Sequence, residues 1–171
     1  MQKKFSYPVK VDELNQNEYR YIIDAAPEEL EDIRQILKVE KVEKFSAEIF
    51  LKLNIKQHLL RVWGNVRAVL ALQSVISLNI FSKKYDIPFE LLYDTKATYR
   101  DMKEKELGIY DDEPDIIENG TIDLADLALE QIALNMEDYP RDEGEVFDYA
   151  KYNDQPEEKQ SPFSVLQKLK K

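Results

Sequence analysis

One stretch of this chain, residues 45–78, decides the fold, and it reads FSAEIFLKLNIKQHLLRVWGNVRAVLALQSVISL. Its apolar side chains fall on odd positions before Gln57 and on even positions after His58: Phe45, Ala47, Ile49, Leu51, Leu53 and Ile55, then Leu60, Val62, Gly64, Val66, Ala68 and Leu70. A period of two over this length is typical of a β-strand with one buried face. The stretch therefore predicts two long paired strands, with the turn where the parity changes.

The register of the predicted hairpin follows from the same pattern. Both apolar faces reach one core only if paired positions sum to an odd number. A turn centred on Gln57-His58 predicts a sum of about 115, which sets Glu48 opposite Arg67. The same register sets Asn54 opposite Arg61. The solvent face of the hairpin then carries two aromatic rings among four cations: Phe50, Trp63, Lys52, Lys56, Arg61 and Arg67.

The other elements follow from the same periodicities. Alternation predicts further strands at residues 5–11, 19–25 and 85–93. Proline at a first helical position and an apolar stripe predict a helix beginning at Pro27. The N-cap residue Asp123 predicts a second helix that runs to about Glu137. The projection of this second helix places a broad apolar arc on Leu124, Leu127, Ala128, Ile132, Leu134 and Met136.

These elements predict an α+β fold, with a mainly antiparallel sheet built on the long hairpin and two or three packed helices. Residues 1–140 form the predicted domain. Residues 141–171 are predicted as a polar linker followed by a short amphipathic helix that begins near Ser161. Because the composition after residue 100 is strongly acidic, we expect part of this region to be disordered, including the connection at residues 94–120.

Composition limits the class of protein. The 171 residues suit one domain with a real core. The absence of cysteine excludes a disulfide scaffold and every thiolate-based metal site. The sequence contains no run of about eighteen apolar residues, and its start has no apolar segment long enough for a secretory signal. We therefore expect a cytoplasmic protein with no membrane partner.

Charge is distributed unevenly along the chain. Residues 1–100 contain 16 basic and 14 acidic residues, whereas residues 101–171 contain 8 basic and 20 acidic ones. The two balances, +2 and −12, give the net charge of −10. An acidic protein can still bind RNA through a local basic face, because binding depends on local neutralisation of phosphates.

Three motifs in order carry a family resemblance. They are Thr121-Ile122-Asp123-Leu124 with Leu129-Glu130-Gln131-Ile132-Ala133-Leu134, then Tyr139-Pro140-Arg141, and finally Ser161-Pro162-Phe163-Ser164-Val165-Leu166 with Leu169-Lys170. Together with the alternating Val62-x-Gly64-x-Val66-x-Ala68, they resemble the bacterial YceD family. The resemblance implies a role in accumulation of large-subunit ribosomal RNA and in ribosome assembly, with no catalytic residues. The chain differs from many relatives in having Ala71-Leu72-Gln73-Ser74 where they carry Cys-x-x-Cys, so a zinc or redox role is not carried over.

Two binding functions remain open from the sequence. In the first, the hairpin face binds ribosomal RNA, with bases stacking on Phe50 and Trp63 while the flanking cations hold phosphates. The alternative for this face is an ordinary solvated surface in which Glu48 pairs with Arg67. In the second function, the acidic C-terminal part binds a basic ribosomal protein or assembly factor through complementary charge.

The candidate partner-binding residues lie on the second helix and beyond it. They are Glu130, Gln131, Asn135, Tyr139, Arg141, Phe163 and Leu166. Gln131 and Asn135 fall within the apolar arc, so each bonds backbone in the core or marks a contact surface. The C-terminal amphipathic segment docks on its own domain or binds a partner.

Catalysis is the weakest hypothesis. Seven carboxylates offer a conceivable Mg²⁺ site for phosphodiester cleavage: Asp111, Asp112, Asp115, Glu118, Asp123, Asp126 and Glu130. Capping explains Asp123, and a solvated helix face explains Asp126 and Glu130. The single histidine, His58, sits at the predicted turn. We therefore expect a non-catalytic protein with no cofactor and no metal.

Overall fold

The computed structural model describes residues 5–97 and 114–149. Five strands form one sheet in the order β2-β3-β4-β5-β6. The strands are β2 (Glu18–Asp24), β3 (Lys41–Asn54), β4 (Leu59–Gln73), β5 (Ile80–Asp94) and β6 (Asp115–Ile116). Strands β2 to β5 pair antiparallel, and the short β6 pairs parallel to β5. The predicted α+β class and the predicted long hairpin are confirmed.

Two helices of the described residues cover one face of this sheet. Helix α1 (Pro27–Leu37) packs against β3, helix α2 (Leu124–Asn135) packs across β4 and β5, and the two helices touch each other. A small ribbon of β1 (Pro8–Lys10) and β7 (Thr121–Asp123) pairs antiparallel and leads directly into α2. The third predicted helix, from Ser161, lies outside the described residues. No helix in the part of the chain that the structure describes has the length and apolar character needed to cross a bilayer.

Both helices begin as the sequence predicts. Pro27 takes the first position of α1, and the Glu29 carboxylate accepts a hydrogen bond of 2.7 Å from the Ala26 amide. The Asp123 Oδ1 accepts from the amides of Ala125 and Asp126, at 3.0 and 3.3 Å. These contacts satisfy amides that have no partner inside the helix.

The hairpin register differs from the prediction by two residues. From Lys44 to Asn54 the paired positions sum to 113, so Phe50 lies opposite Trp63 and Lys52 lies opposite Arg61. The predicted pairings of Glu48 with Arg67 and of Asn54 with Arg61 are wrong. The reason is the connection between the strands, which is a four-residue turn at residues 55–58 rather than a two-residue turn.

Local contacts hold this longer turn in place. His58 has a left-handed φ of 56°, and the Asn54 side chain bonds both the amide and the side chain of Gln57, at 3.2 and 2.8 Å. A shift of two residues leaves each side chain on its own face of the strand. The predicted division between a core face and a solvent face is therefore correct, although the pairings across it are not.

The core lies between the sheet and the two helices, with the hairpin's alternating positions at its centre. Ile49, Leu51, Leu60, Val62 and Val66 are fully buried. Three sequence predictions need correction. Leu134 of α2 is 72% exposed, Ile55 belongs to the turn, and residues 11–13 form a 3₁₀ turn instead of continuing the first strand. Strand β6 lies within residues 94–120, where the sequence predicts only a connection. Strand β7 follows directly after this range and is also not predicted.

Gly64 allows β3 and β4 to approach closely. It lies in the middle of β4, opposite Ile49 on β3 and Phe89 on β5. A Cβ at this position would lie 2.0 Å from the backbone oxygen of Glu48 and 3.0 Å from the Cα of Ile49. The obstructing atoms are backbone atoms of a paired strand, so they cannot move aside without breaking the ladder.

We expect Gly64→Ala to lower the free energy of unfolding by at least about 2 kcal/mol, because it overpacks the centre of the sheet. Urea unfolding of the full chain measures this loss. The control is Gly120→Ala, where φ is +66° but no atom lies within 4 Å of the added Cβ. It should cost about 1 kcal/mol from backbone strain alone. Equal losses in the two variants would contradict a close-approach role for Gly64.

The chain that follows α2 is fastened to the turn between β4 and β5. Ser74 is fully buried, and its hydroxyl donates to the Glu145 carboxylate while accepting from the amides of Ile76 and Ser77. The Ser77 hydroxyl also donates to Glu145, and the Val75 amide donates to the Pro140 carbonyl at 2.9 Å. Residues 140–145 are therefore held at this end of the sheet.

This attachment should weaken in acid. The hydrogen bond from Ser74, followed by that from Ser77, lowers the pKa of Glu145 below its ordinary 4.5. A carboxylate with a lowered pKa contributes its stability above the ordinary pKa and loses it as the pH falls through the folded-state value. We expect the Val75 amide chemical shift to move, with a midpoint below pH 4.5, toward the value it has in Glu145→Gln. A midpoint at or above that pH, or no movement, would contradict the attachment.

Candidate nucleic-acid interface

Phe50 and Trp63 form an aromatic pair on the solvent face of the sheet. They lie directly opposite each other on β3 and β4, with ring centroids 5.6 Å apart and an interplanar angle of 14°. Both residues are half-buried. Stacked cross-strand aromatics stabilise a hairpin, and their remaining surface is the kind on which nucleic-acid bases stack.

Three of the predicted cations gather beside this pair. Lys52, Lys56 and Arg61 line a pocket of about 450 Å³ at the turn end of the hairpin. The remaining lining residues, Gln16, Leu53, Asn54, Gln57, Leu59 and Leu92, carry no negative charge. We call Phe50, Lys52, Lys56, Arg61 and Trp63 the hairpin-tip site. Lys52 and Arg61 are directly opposite in the ladder, an arrangement of like charges that costs stability unless an anion compensates it.

Arg61 connects the cations to the aromatic pair. Its guanidinium lies 4.8 Å from the Trp63 ring centroid, a cation–π geometry. Its Nε also donates to Glu90 on β5 at 2.7 Å. This hydrogen bond raises the pKa of Arg61 and lowers the pKa of Glu90, so both groups are charged at neutral pH. The pair is well exposed, and pairs of that kind contribute little to stability.

The rest of the sheet's solvent face is electrically balanced. Arg20 pairs with Glu48 at 2.5 Å, and Arg67 lies 3.5 Å from Asp86. Arg67 is six residues from Arg61 along β4, which is about 20 Å. The structure therefore brings five of the six predicted RNA-binding residues together and leaves Arg67 in the balanced region.

The candidate partner-binding residues are dispersed. Glu130 lines a groove on α2, whereas the neighbouring Gln131 is buried against the core. Asn135 is exposed, and its side-chain amide donates to the Gln131 carbonyl at 2.8 Å. Tyr139 and Arg141 are exposed beyond the helix. Two further residues of this set, Phe163 and Leu166, lie outside the described residues.

The groove that Glu130 lines runs between α1 and α2, on the side of the sheet opposite the hairpin-tip site. It encloses about 900 Å³. Its apolar lining consists of Ile36, Leu37, Leu129, Ala133 and Met136, and Gln35 is its neutral polar residue. Its carboxylates are Glu28, Glu31, Asp32, Asp126, Glu130, Glu137 and Asp138. We call this feature the acidic groove.

Few cations offset this negative charge. Within the described residues, no lysine, arginine or histidine lines the acidic groove. Two cations next to it bind its carboxylates, Arg34 bonding Glu31 and Lys83 bonding Glu137. The hydrogen bond from Arg34 lowers the pKa of Glu31 to about 2, so this carboxylate stays charged. An apolar surface bordered by excess carboxylates is suited to a basic amphipathic segment.

The family comparison agrees with the sequence resemblance. A family model described as large ribosomal RNA subunit accumulation protein YceD matches residues 62–170. That range covers well over half of the chain. The chain belongs to the YceD family. No curated protein and no solved structure matches it.

The YceD match begins at Val62 and so covers most of β4, all of β5 and α2, and the C-terminal segment. It includes Trp63 of the hairpin-tip site and the α2 side of the acidic groove. The description of the YceD family connects the chain with large-subunit ribosomal RNA, but it names no contact residue. Any residue proposed to contact RNA is therefore argued from the geometry.

Sequence reasoning missed one half of the acidic groove. Acidic side chains near the amino terminus of a helix, such as Glu28 and Glu31 of α1, are ordinarily explained as partners of the helix dipole. In the structure these residues and Asp32 turn toward α2. Their spacing of three and four residues, which places them on one helical face, is the signal that could have revealed a continuous acidic stripe.

Proposed function

We propose that this YceD family member supports accumulation of large-subunit ribosomal RNA by binding RNA at the hairpin-tip site, as a non-catalytic factor in the cytoplasm. The observation that carries the proposal is the meeting of an aromatic pair with three cations at one end of the hairpin. Single-stranded RNA is bound in this way, with bases on aromatic or guanidinium planes and phosphates on lysines. Arg61, already stacked over Trp63, is suited to either contact.

The chain supplies a direct reporter for this test, because Trp63 is its single tryptophan. A base that stacks on Trp63 should quench its fluorescence. Titration with a single-stranded oligoribonucleotide of about twelve nucleotides gives the dissociation constant. Replacing Lys52, Lys56 and Arg61 with Gln should weaken binding about tenfold or more and reduce the salt slope by about two, as three lost phosphate contacts require.

The matched control removes the same charge from the other end of the same face. Lys44, Arg67 and Lys84 are exposed there, and their triple change to Gln should leave affinity within about twofold. Glu90→Gln, which frees Arg61 from its carboxylate, should tighten binding. Equal losses in the two triple variants would indicate attraction to net charge alone, and unchanged affinity in both would remove the hairpin-tip site from consideration.

A second candidate function is binding of a basic ribosomal protein or assembly factor. The acidic groove favours it, because an apolar floor with a carboxylate border is complementary to a basic amphipathic segment. In this case the protein would protect large-subunit RNA indirectly, through one of the proteins that assemble on it.

A pull-down from cell lysate tests this second candidate. If the acidic groove binds a basic ribosomal protein, the protein should remain on the tagged full chain after nuclease treatment and dissociate at about 1 M salt, where the screening length falls to about 3 Å. Glu28→Lys with Glu130→Lys should abolish the capture. The control, Glu13→Lys with Glu43→Lys, makes the same charge change at exposed positions outside the groove. This function would be contradicted if the captured protein is lost after nuclease treatment, or if the groove variant captures it as well as the unchanged chain does.

A further inference from the structure

The acidic groove has an apolar floor that its own helices leave uncovered. Ile36 is 45% exposed at its edge, and Ala133 is exposed on α2. Among the described residues, seven carboxylates line the groove and two cations bond to them. A segment that covers this groove must therefore offer apolar side chains and positive charge together.

One segment of this same chain has that composition. Residues 161–171 read SPFSVLQKLKK, with Phe163, Leu166 and Leu169 at intervals of three residues. The segment contains three lysines and no acidic residue, although it closes the most acidic third of the chain. In a helical conformation those three apolar side chains would form one stripe, with lysines beside it.

The fastening of residues 140–145 brings this segment within reach. Glu145 is held by Ser74 and Ser77, and Asp138, seven residues earlier, lines the acidic groove. The anchor is therefore at most about 25 Å from the groove along the chain. Fifteen residues separate Glu145 from Ser161, and they can span roughly 50 Å when extended.

We propose that residues 161–171 dock in the acidic groove of the same molecule, with Phe163, Leu166 and Leu169 on the apolar floor and the lysines against the carboxylate border. The docked segment then acts as an internal competitor. A basic protein must displace it to reach the groove. The proposal rests on the second candidate function only for that competition, since the docking itself needs no partner.

Because the chain contains no cysteine, two introduced cysteines allow a direct cross-linking test. Ala133→Cys places a thiol in the groove, and Gln167→Cys places one in the segment. Mild oxidation of this double variant should give a disulfide within the monomer, because tethering raises the local concentration to roughly millimolar. The control pair replaces the groove thiol with Ile22→Cys, which is exposed on the opposite face of the sheet.

Charge reversal then tests the recognition. Lys168→Glu, Lys170→Glu and Lys171→Glu should slow formation of the Ala133–Gln167 cross-link about tenfold, because the effective concentration falls when docking is lost. Glu28→Lys with Glu130→Lys should slow it similarly. Combining the two sets should restore most of the rate, because opposite charges face each other again.

Each remaining outcome has one meaning. Equal cross-linking to the groove and to the control position would overturn the proposal, because it would reflect an undocked segment. Disulfide-linked dimers that increase with protein concentration would assign the groove to the segment of a second copy instead. Absence of any cross-link would also overturn docking. The experiment uses isolated protein, so a cross-link without capture of a basic protein would support docking while the second candidate function fails.

Discussion

The stacking of Phe50 on Trp63 depends on the register of one hairpin, and the rest of the structure depends on that hairpin. Strand β2 adds to one edge and β5 to the other, while α1 and α2 cover the apolar face. Gly64 permits the close approach of the two central strands, where a side chain would meet the Glu48 carbonyl. The core and the candidate interface therefore share one scaffold.

The two faces of this scaffold have different electrostatics. Exposed ion pairs balance most of the solvent face. Among the described residues, the pocket at the turn end of the hairpin is lined by three cations and no carboxylate, although Arg61 also bonds Glu90 beside it. Exposed pairs contribute little to folding, so substitutions there change binding with little effect on stability. The hairpin-tip site can consequently be tested separately from the fold.

The acidic groove lies on the other side of the sheet, so a chain of net charge −10 presents one basic and one acidic surface. The two surfaces are suited to opposite partners, RNA at the hairpin tip and a basic segment in the groove. The sheet lies between these two surfaces. A factor that supports ribosomal RNA accumulation benefits from this separation if RNA and basic proteins are present together.

The sequence by itself determined which side chains of the long strands β3 and β4 face the core, where both helices begin, and membership of the YceD family. These features are local: alternation, caps and motifs lie within short segments. Only the tertiary structure decided that Phe50 meets Trp63, that Glu90 binds Arg61, and that two helices enclose an acidic groove. A shift of two residues leaves a period-two pattern unchanged, so the alternation of side chains could not determine the register of the hairpin. The four-residue turn at residues 55–58 determines it. The acidic groove is formed by α1 and α2, which are about a hundred residues apart in the sequence. No local sequence pattern could therefore predict that they lie side by side.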